Sequence, residues 1–134
     1  MKKAIIVLLI LPLIFLCGFR KKEKPYVILS SAMVTKENIS RVERYFSVGQ
    51  RVHYTIVAPD GVKYPGIRMQ LSKQSDKTTN WGFSIEKSEE IFVPKSEQFY
   101  RSYFVPTSSG KYIIQFFYLN NKRYPFIHKE FFVQ

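Results

Sequence analysis

The stretch of sequence that decides the fold is Gly49-Gln50-Arg51-Val52-His53-Tyr54-Thr55-Ile56-Val57-Ala58-Pro59-Asp60-Gly61. Its apolar residues Val52, Tyr54 and Ile56 alternate with more polar residues. Successive side chains of a β-strand point to opposite faces, so this period of two predicts a half-buried strand. The segment 58–61 predicts a tight turn, because proline presets a backbone angle and Asp-Gly suits the closing positions. The stretch therefore indicates a strand that ends in a turn, the repeating unit of an all-β domain.

Strand signals of the same kind recur through the chain, and turn-forming residues separate them. Further strands are predicted over 26–34, 67–72, 81–86, 91–93, 99–105, 111–119 and 126–133. The polar stretch 35–47 is interpreted as a loop. About seven or eight short strands at a spacing of about ten residues are typical of an antiparallel β-sandwich. We therefore predict one all-β domain over 26–134, with a closed barrel of similar strand count as the alternative.

The C-terminal part refines this prediction through the segment Ser108-Ser109-Gly110-Lys111-Tyr112. It resembles the turn and strand that carry the tyrosine corner of immunoglobulin-like domains. The resemblance implies that Gly110 allows a bend and that the Tyr112 hydroxyl bonds back to the backbone. Ile114 stands where antibody domains have the second cysteine of their disulfide. The resemblance therefore implies an immunoglobulin-like sandwich without a disulfide.

The N-terminal segment has a different character. Positive Lys2 and Lys3 precede an apolar run over 4–16, and Cys17 follows it. A charged start and a short apolar run are typical of a secretory signal, and a membrane-spanning helix needs about 20 apolar residues. The sequence therefore predicts export from the cytoplasm.

Leu13-Ile14-Phe15-Leu16-Cys17 resembles the lipobox that ends bacterial lipoprotein signal peptides. The resemblance implies a signal peptide over 1–17, a diacylglycerol on Cys17 and a place in the cell envelope. Gly18 stands where an Asp marks retention at the inner membrane, which favours the outer membrane. Leu16 stands where the family usually has Gly, Ala or Ser, so a secreted form and an uncleaved anchor in the inner membrane stay open as alternatives.

The formal net charge of +11 suggests an anionic partner. The segment 18–25 is interpreted as a basic tether, in which four side chains are predicted to contact an anionic membrane surface. They are Arg20, Lys21, Lys22 and Lys24. A second basic group near the final hairpin is a candidate site for an acidic glycan or protein. It consists of Lys122, Arg123, Tyr124 and Lys129.

Residues that carry chemistry are sparse. The chain has two histidines, and its densest carboxylates are Glu86, Glu89 and Glu90. Cys17 is the only cysteine, which excludes an intrachain disulfide and a cysteine-based zinc site. No catalytic or phosphate-binding motif is present. We therefore expect no enzyme activity, catalytic residue, metal or cofactor, and export argues against a nucleic acid partner.

The sequence thus predicts a non-catalytic envelope lipoprotein that serves as a membrane-tethered binding module for a partner protein or an acidic surface polymer. The alternative is a structural or assembly subunit of an envelope complex. Such a subunit would dock through an unpaired edge strand or an apolar strand face. The second face of 111–119, which includes Ile113 and Phe117, is apolar, and we expect the strand 26–34 to cover it.

Overall fold

A computed structural model describes residues 21–39, 42–75 and 82–134. Cys17, Arg20 and Trp81, which entered the sequence predictions, lie outside these ranges. The described chain contains eight β-strands and no helix, so the prediction of an all-β fold is confirmed. The strands are β1 (Tyr26–Ser30), β2 (Tyr45–Phe46), β3 (Val52–Val57), β4 (Gly66–Gln74), β5 (Phe83–Phe92), β6 (Phe99–Phe104), β7 (Gly110–Tyr118) and β8 (Ile127–Val133). No helix among the described residues is long and apolar enough to cross a membrane.

The strands form two sheets, which makes the fold a β-sandwich and not a closed barrel. The three-stranded sheet has the order β1-β3-β6, and the five-stranded sheet has the order β2-β8-β7-β4-β5. Immunoglobulin-like sandwiches divide their strands in the same way, with the first, second and fifth strands of that fold facing a sheet built on its last two. One pairing departs from the predicted antiparallel arrangement. The short β2 runs parallel to β8, because the chain crosses between the sheets after β1.

The inner faces of the two sheets supply the core. Val52, Tyr54 and Ile56 of β3 are at most 1% exposed, as the alternation in the opening stretch predicted. Phe131 of β8 lies at the centre of an aromatic cluster, and its ring stacks on that of Tyr112 at 5.3 Å between centroids. Burial of a large apolar side chain stabilises a fold by about 1.5–3 kcal/mol. Burial of these rings therefore contributes much of the free energy that holds the two sheets together.

The predicted tyrosine corner is present. The Tyr112 hydroxyl donates to the Ser108 carbonyl at 2.8 Å. The Ser108 hydroxyl, in turn, accepts a hydrogen bond from Lys73 Nζ at 2.8 Å. Gly110 has a φ of +148°, a conformation that side chains disfavour, and a Cβ there would crowd the Lys73 side chain. The corner therefore fixes the start of β7 through side chains from two strands.

Two sequence predictions about strands are corrected. The segments predicted as separate strands, 81–86 and 91–93, overlap with a single strand, β5, whose residues are half-buried or exposed along its whole length. A short strand, β2, lies in the stretch interpreted as a loop.

The predicted cover of the second face of β7 is wrong, because β1 pairs with β3 in the opposite sheet. Ile28 of β1 packs instead with Val34 and Val57 in a small cluster separate from the main core. Phe117 is nevertheless buried on its own sheet, beside Arg68 of the neighbouring strand.

Candidate anion-binding surface

Three connections of the sandwich meet at one end, which we call the loop end. They are the β3–β4 connection (58–65), the β5–β6 connection (93–98) and the β7–β8 connection (119–126). Backbone hydrogen bonds tie them to one another and to the sheets, including the one from the Ala58 amide to the Gln98 carbonyl at 2.8 Å. The segment before β1 arrives here too, since the Glu23 amide donates to Asp60 Oδ2 at 2.6 Å. The opposite end, where β7 starts and β8 finishes, is called the far end.

An aromatic cleft of about 450 Å³ opens at the loop end. It is lined by Lys63, Tyr64, Tyr118, Asn120, Asn121, Tyr124, Pro125 and Phe126. The rings of Tyr118 and Phe126 stack almost parallel at 3.9 Å between centroids. Tyr64 meets Tyr118 edge to face at 5.4 Å. The packed rings therefore form one wall of the cleft, and a large movement of the loops would break the contacts between these rings.

Local hydrogen bonds explain why the chain adopts this shape. The Asn121 amide donates to the Tyr118 carbonyl at 2.9 Å, which closes the turn after β7. The Lys63 amide donates to the Tyr118 hydroxyl at 3.0 Å, which joins the β3–β4 connection to β7. Gly61 has a φ of +76°, and a Cβ there would overlap the Lys95 carbonyl oxygen. The glycine thus permits both the turn and the close approach of the β5–β6 connection.

Cationic groups surround the cleft. Lys63 Nζ lies over the Tyr64 ring at 5.5 Å, and the Arg123 guanidinium lies over the Tyr124 ring at 5.6 Å. Basic side chains outnumber carboxylates among the described residues of this end. The basic residues are Lys21, Lys22, Lys24, Lys63, Lys95, Lys122 and Arg123, and the acidic residues are Glu23, Asp60 and Glu97. A concentration of positive charge around exposed rings attracts anions and holds flat or apolar groups beside them.

Two site predictions that were separate in the sequence meet on this surface. The tether residues Lys22 and Lys24 line a second cleft of about 400 Å³ that shares Lys63 and Tyr118 with the first. Tyr124 lines the first cleft, and Lys122 and Arg123 lie just before it on the same connection. The structure therefore brings Lys22 and Lys24 of the predicted membrane-contact group and Tyr124 of the predicted partner-binding group to adjoining clefts.

Lys129 is half-buried and lines a separate cleft beside β1, with Pro25 and Phe126, which corrects its assignment to the hairpin surface. It lies in β8 between buried Ile127 and Phe131, on the alternation that faces inward. Its Nζ donates to the Val27 carbonyl at 3.4 Å. Burial and, secondarily, the nearby Arg44 lower the pKa of Lys129. Proximity to the hairpin in sequence suggested a surface cation, whereas the period of the strand turns the side chain toward the other sheet.

Sequence reasoning missed several contributors to the loop end, among them Lys63, Tyr64 and Asn120. Lys63 and Tyr64 lie shortly after the predicted turn at 58–61, and Asn120 lies two residues after the end of β7. Their positions next to turns were visible in the sequence. Nothing in the sequence showed that the β3–β4 and β7–β8 connections share one end.

The other groups considered for chemistry lie elsewhere. Glu90 pairs with Arg68 at 3.3 Å, and Glu89 pairs with Lys87 at 3.5 Å. Within 21–39, 42–75 and 82–134, no three His, Cys, Asp or Glu side chains are grouped so as to hold a metal ion. Among the described residues the buried Tyr54 hydroxyl makes no hydrogen bond of normal geometry, although Ser102 and Glu89 interact with it, and burial raises the pKa of Tyr54.

No protein-family model and no curated protein sequence matches the chain. The structure is similar to that of a superoxide reductase (neelaredoxin) from Ignicoccus hospitalis, with 8% identity, a TM-score of 0.45 and coverage of 84% of this chain and 81% of that one. It is also similar to the soluble domain of PmoD from Methylocystis sp. ATCC 49242 (Rockwell), with 11% identity, a TM-score of 0.44 and coverage of 87% and 95%.

One expectation is corrected at this point. The superoxide reductase is an enzyme, and we withdraw the expectation that the present chain has no enzyme activity. At this identity and TM-score the likeness brings no reaction, metal or substrate to the present chain. What the structure defines is an all-β sandwich with a basic, aromatic loop end.

Proposed function

We propose that the protein is a binding module of the cell envelope, that its N-terminus tethers it to a membrane, and that its loop end binds an anionic partner. The single observation that carries the proposal is the convergence of the tether with the β7–β8 connection. Lys22 and Lys24 line one cleft, Tyr124 lines the other, and the two clefts share Lys63 and Tyr118. Lys122 and Arg123 directly precede Tyr124 on the β7–β8 connection.

The chemistry of the surface supports an anionic partner. Lysine and arginine side chains form charge-assisted hydrogen bonds with carboxylates and phosphates, and these bonds are stronger than those between neutral groups. The amides of Asn120 and Asn121 supply further donors at the rim of the aromatic cleft. Exposed tyrosine rings offer apolar area with a polar tip. An acidic surface polymer or the acidic face of a partner protein presents groups of these kinds.

Binding is tested with the full-length protein and polygalacturonate, with uncharged dextran as the control polymer. We expect saturable binding to polygalacturonate that weakens steeply between 50 and 300 mM salt, because exposed charges are screened over about 10 Å at 0.1 M. The double variant Lys122→Glu/Arg123→Glu should lose this binding. The matched variant Arg44→Glu/Arg51→Glu reverses two exposed arginines outside the loop end and should keep it. Equal losses in both variants would refute a specific role for the loop end.

The lipid attachment is tested separately. Labelled palmitate should enter the wild-type protein in bacteria and should not enter Cys17→Ala. Absence of label from the wild type would refute lipidation, and membrane fractionation of the same cells would then show whether the N-terminal segment still holds the protein.

A second candidate function, that of an assembly subunit, is favoured by β5. This strand runs from Phe83 to Phe92, forms the edge of the five-stranded sheet and pairs only with β4 among the described strands. Unpaired edges accept strands from partner proteins. Ile85 is 55% exposed and Phe92 is 68% exposed, so apolar area accompanies the free backbone groups. Crosslinking from Ser88→Cys to a single envelope protein, absent from Ser109→Cys, would support this candidate.

A further inference from the structure

We infer that the anionic partner of the loop end is the phospholipid headgroup layer of the membrane that holds the N-terminus, so that the sandwich stands on that membrane with its far end outward. The inference rests on the proposed function and names the partner. It follows from the length of the tether, the distribution of charge and the position of exposed rings.

The tether between Cys17 and the loop end is short. The hydrogen bond from the Glu23 amide to Asp60 fixes the chain to the loop end at residue 23. Only residues 18–22 separate that point from Cys17. An extended chain spans at most about 3.3–3.6 Å per residue, so the six residue steps from Cys17 to Glu23 cover at most about 22 Å. This limit holds whether the membrane anchor is a lipid on Cys17 or the apolar run before it.

The loop end carries positive charge from separate parts of the chain. The cationic groups of the loop end come from four segments of the chain, the tether and the three connections, and each segment contributes at least one lysine. Of the three carboxylates there, that of Asp60 already accepts the Glu23 amide. Each Lys or Arg near an anionic leaflet contributes about 1 kcal/mol of attraction, and the effect fades within a Debye length. A tether of this length keeps the whole group within reach of the headgroups.

Two exposed tyrosine rings lie beside these cationic groups. The side chain of Tyr124 is 64% exposed and that of Tyr64 is 38% exposed, and both lie at the loop end. Tyrosine is enriched at membrane–water interfaces, where its ring meets the acyl boundary and its hydroxyl meets water. Neighbouring Lys63 and Arg123, which lie over these rings, would then reach the phosphates. Cations combined with interfacial rings are the composition of surfaces that lie on membranes.

The test uses the full-length chain with Cys17→Ser, which keeps the apolar N-terminal run and frees the sequence of other thiols. A fluorophore is attached at Asn121→Cys on the loop end or, as the control, at Ser109→Cys on the far end. The protein is reconstituted in vesicles of phosphatidylcholine with 30% phosphatidylglycerol or of phosphatidylcholine alone, each with a headgroup nitroxide quencher.

We expect strong quenching at Asn121→Cys and little at Ser109→Cys, with the difference confined to the vesicles that contain phosphatidylglycerol. Lys122→Glu/Arg123→Glu should abolish the difference, and Arg44→Glu/Arg51→Glu should preserve it. Removal of one basic residue should weaken the docked state about fivefold, the factor that corresponds to about 1 kcal/mol. Equal quenching at the two positions, or quenching that ignores lipid charge, would overturn the inference.

Failure of this inference is distinguishable from failure of the proposed function. Polygalacturonate binding that depends on Lys122 and Arg123, without loop-end quenching in anionic vesicles, would leave the anion-binding function standing and identify a polymer as the partner. Loss of both would refute the function together with the inference.

Discussion

The two ends of the sandwich are both rich in aromatic rings, and they use them in opposite ways. At the far end, Tyr112 and Phe131 are at most 1% exposed, and the Tyr112 hydroxyl is bonded to the Ser108 carbonyl. At the loop end, Tyr124 and Tyr64 project from connections and keep much of their surface in solvent. The difference shows that rings on the inner faces of strands join the sheets, whereas rings on connections are held by neighbouring rings and remain free to contact a partner.

The largest effect should come from truncating a ring at the far end. Phe131→Ala removes a fully buried ring that contacts Phe46, Phe104 and Tyr112, and it should lower the free energy of unfolding by about 3–5 kcal/mol. Tyr124→Ala should change it by less than about 0.5 kcal/mol, because the ring is mostly exposed. Urea unfolding measures both values. Similar losses in the two variants would contradict the division of roles between the ends.

The next effect concerns one glycine at each end. Gly61→Ala at the loop end combines a positive φ with overlap on the Lys95 carbonyl, so it should destabilise by about 2–3 kcal/mol. Gly49→Ala at the far end has a φ of +80° and open space around its Cβ, so only the backbone strain of about 1 kcal/mol remains. Thermal unfolding of both variants checks the order. A smaller loss for Gly61→Ala would show that the β5–β6 connection moves away at little cost.

A smaller effect separates two buried tyrosines. Tyr112→Phe deletes a hydroxyl that is bonded to Ser108 and should cost about 1 kcal/mol. Tyr54→Phe deletes a buried hydroxyl that makes no hydrogen bond of normal geometry with its neighbours Ser102 and Glu89, so it should cost less than Tyr112→Phe and should leave the free energy of unfolding unchanged or raise it by up to about 1 kcal/mol. Denaturant unfolding at pH 7 measures both. A clear loss in Tyr54→Phe would reveal a bonded hydroxyl.

The last effect is a pH dependence. Burial raises the pKa of Tyr54 above its ordinary value of 10.0, so above pH 10 the unfolded chain loses this proton before the folded chain does. Stability should therefore fall as the pH rises beyond 10, by at most about 1.4 kcal/mol per pH unit for this group. In Tyr54→Phe the fall should be shallower, with a remainder from Tyr100, whose pKa is raised by burial and by Glu89. Parallel curves for the two proteins would contradict this assignment.

The inner faces of the central strands were predictable because burial imposes a period of two. Tyr112, Ile114 and Phe116 were predicted to share one face of their strand, and all three are buried. Prediction failed where that constraint is absent. β5 lies at an edge and is solvated on both faces, so its charged residues 86–90 carry no alternation and the strand was divided in two. β2 is too short to show a period at all.

The candidate site was predictable only in part, for a related reason. A cluster such as Lys122-Arg123-Tyr124 is visible as composition, but composition does not tell which face or end a residue occupies. Lys129 was assigned to that cluster by its nearness in sequence, and the alternation of β8 places it at the inner side instead. Lys63 and Tyr64 were missed because they lie more than fifty residues away along the chain and meet the hairpin only in the folded protein.

The sequence by itself determined the all-β class, the apolar faces of β3, β4 and β7 and the tyrosine corner, because each depends on residues close together in the chain. Only the tertiary structure decided which connections share an end, since that depends on how the strands run between the two sheets. β1 begins beside the end of β3, with Tyr26 opposite Val57, and this antiparallel pairing carries the basic tether to the β3–β4 connection. The surface that we propose to meet the membrane thus exists only in the folded chain.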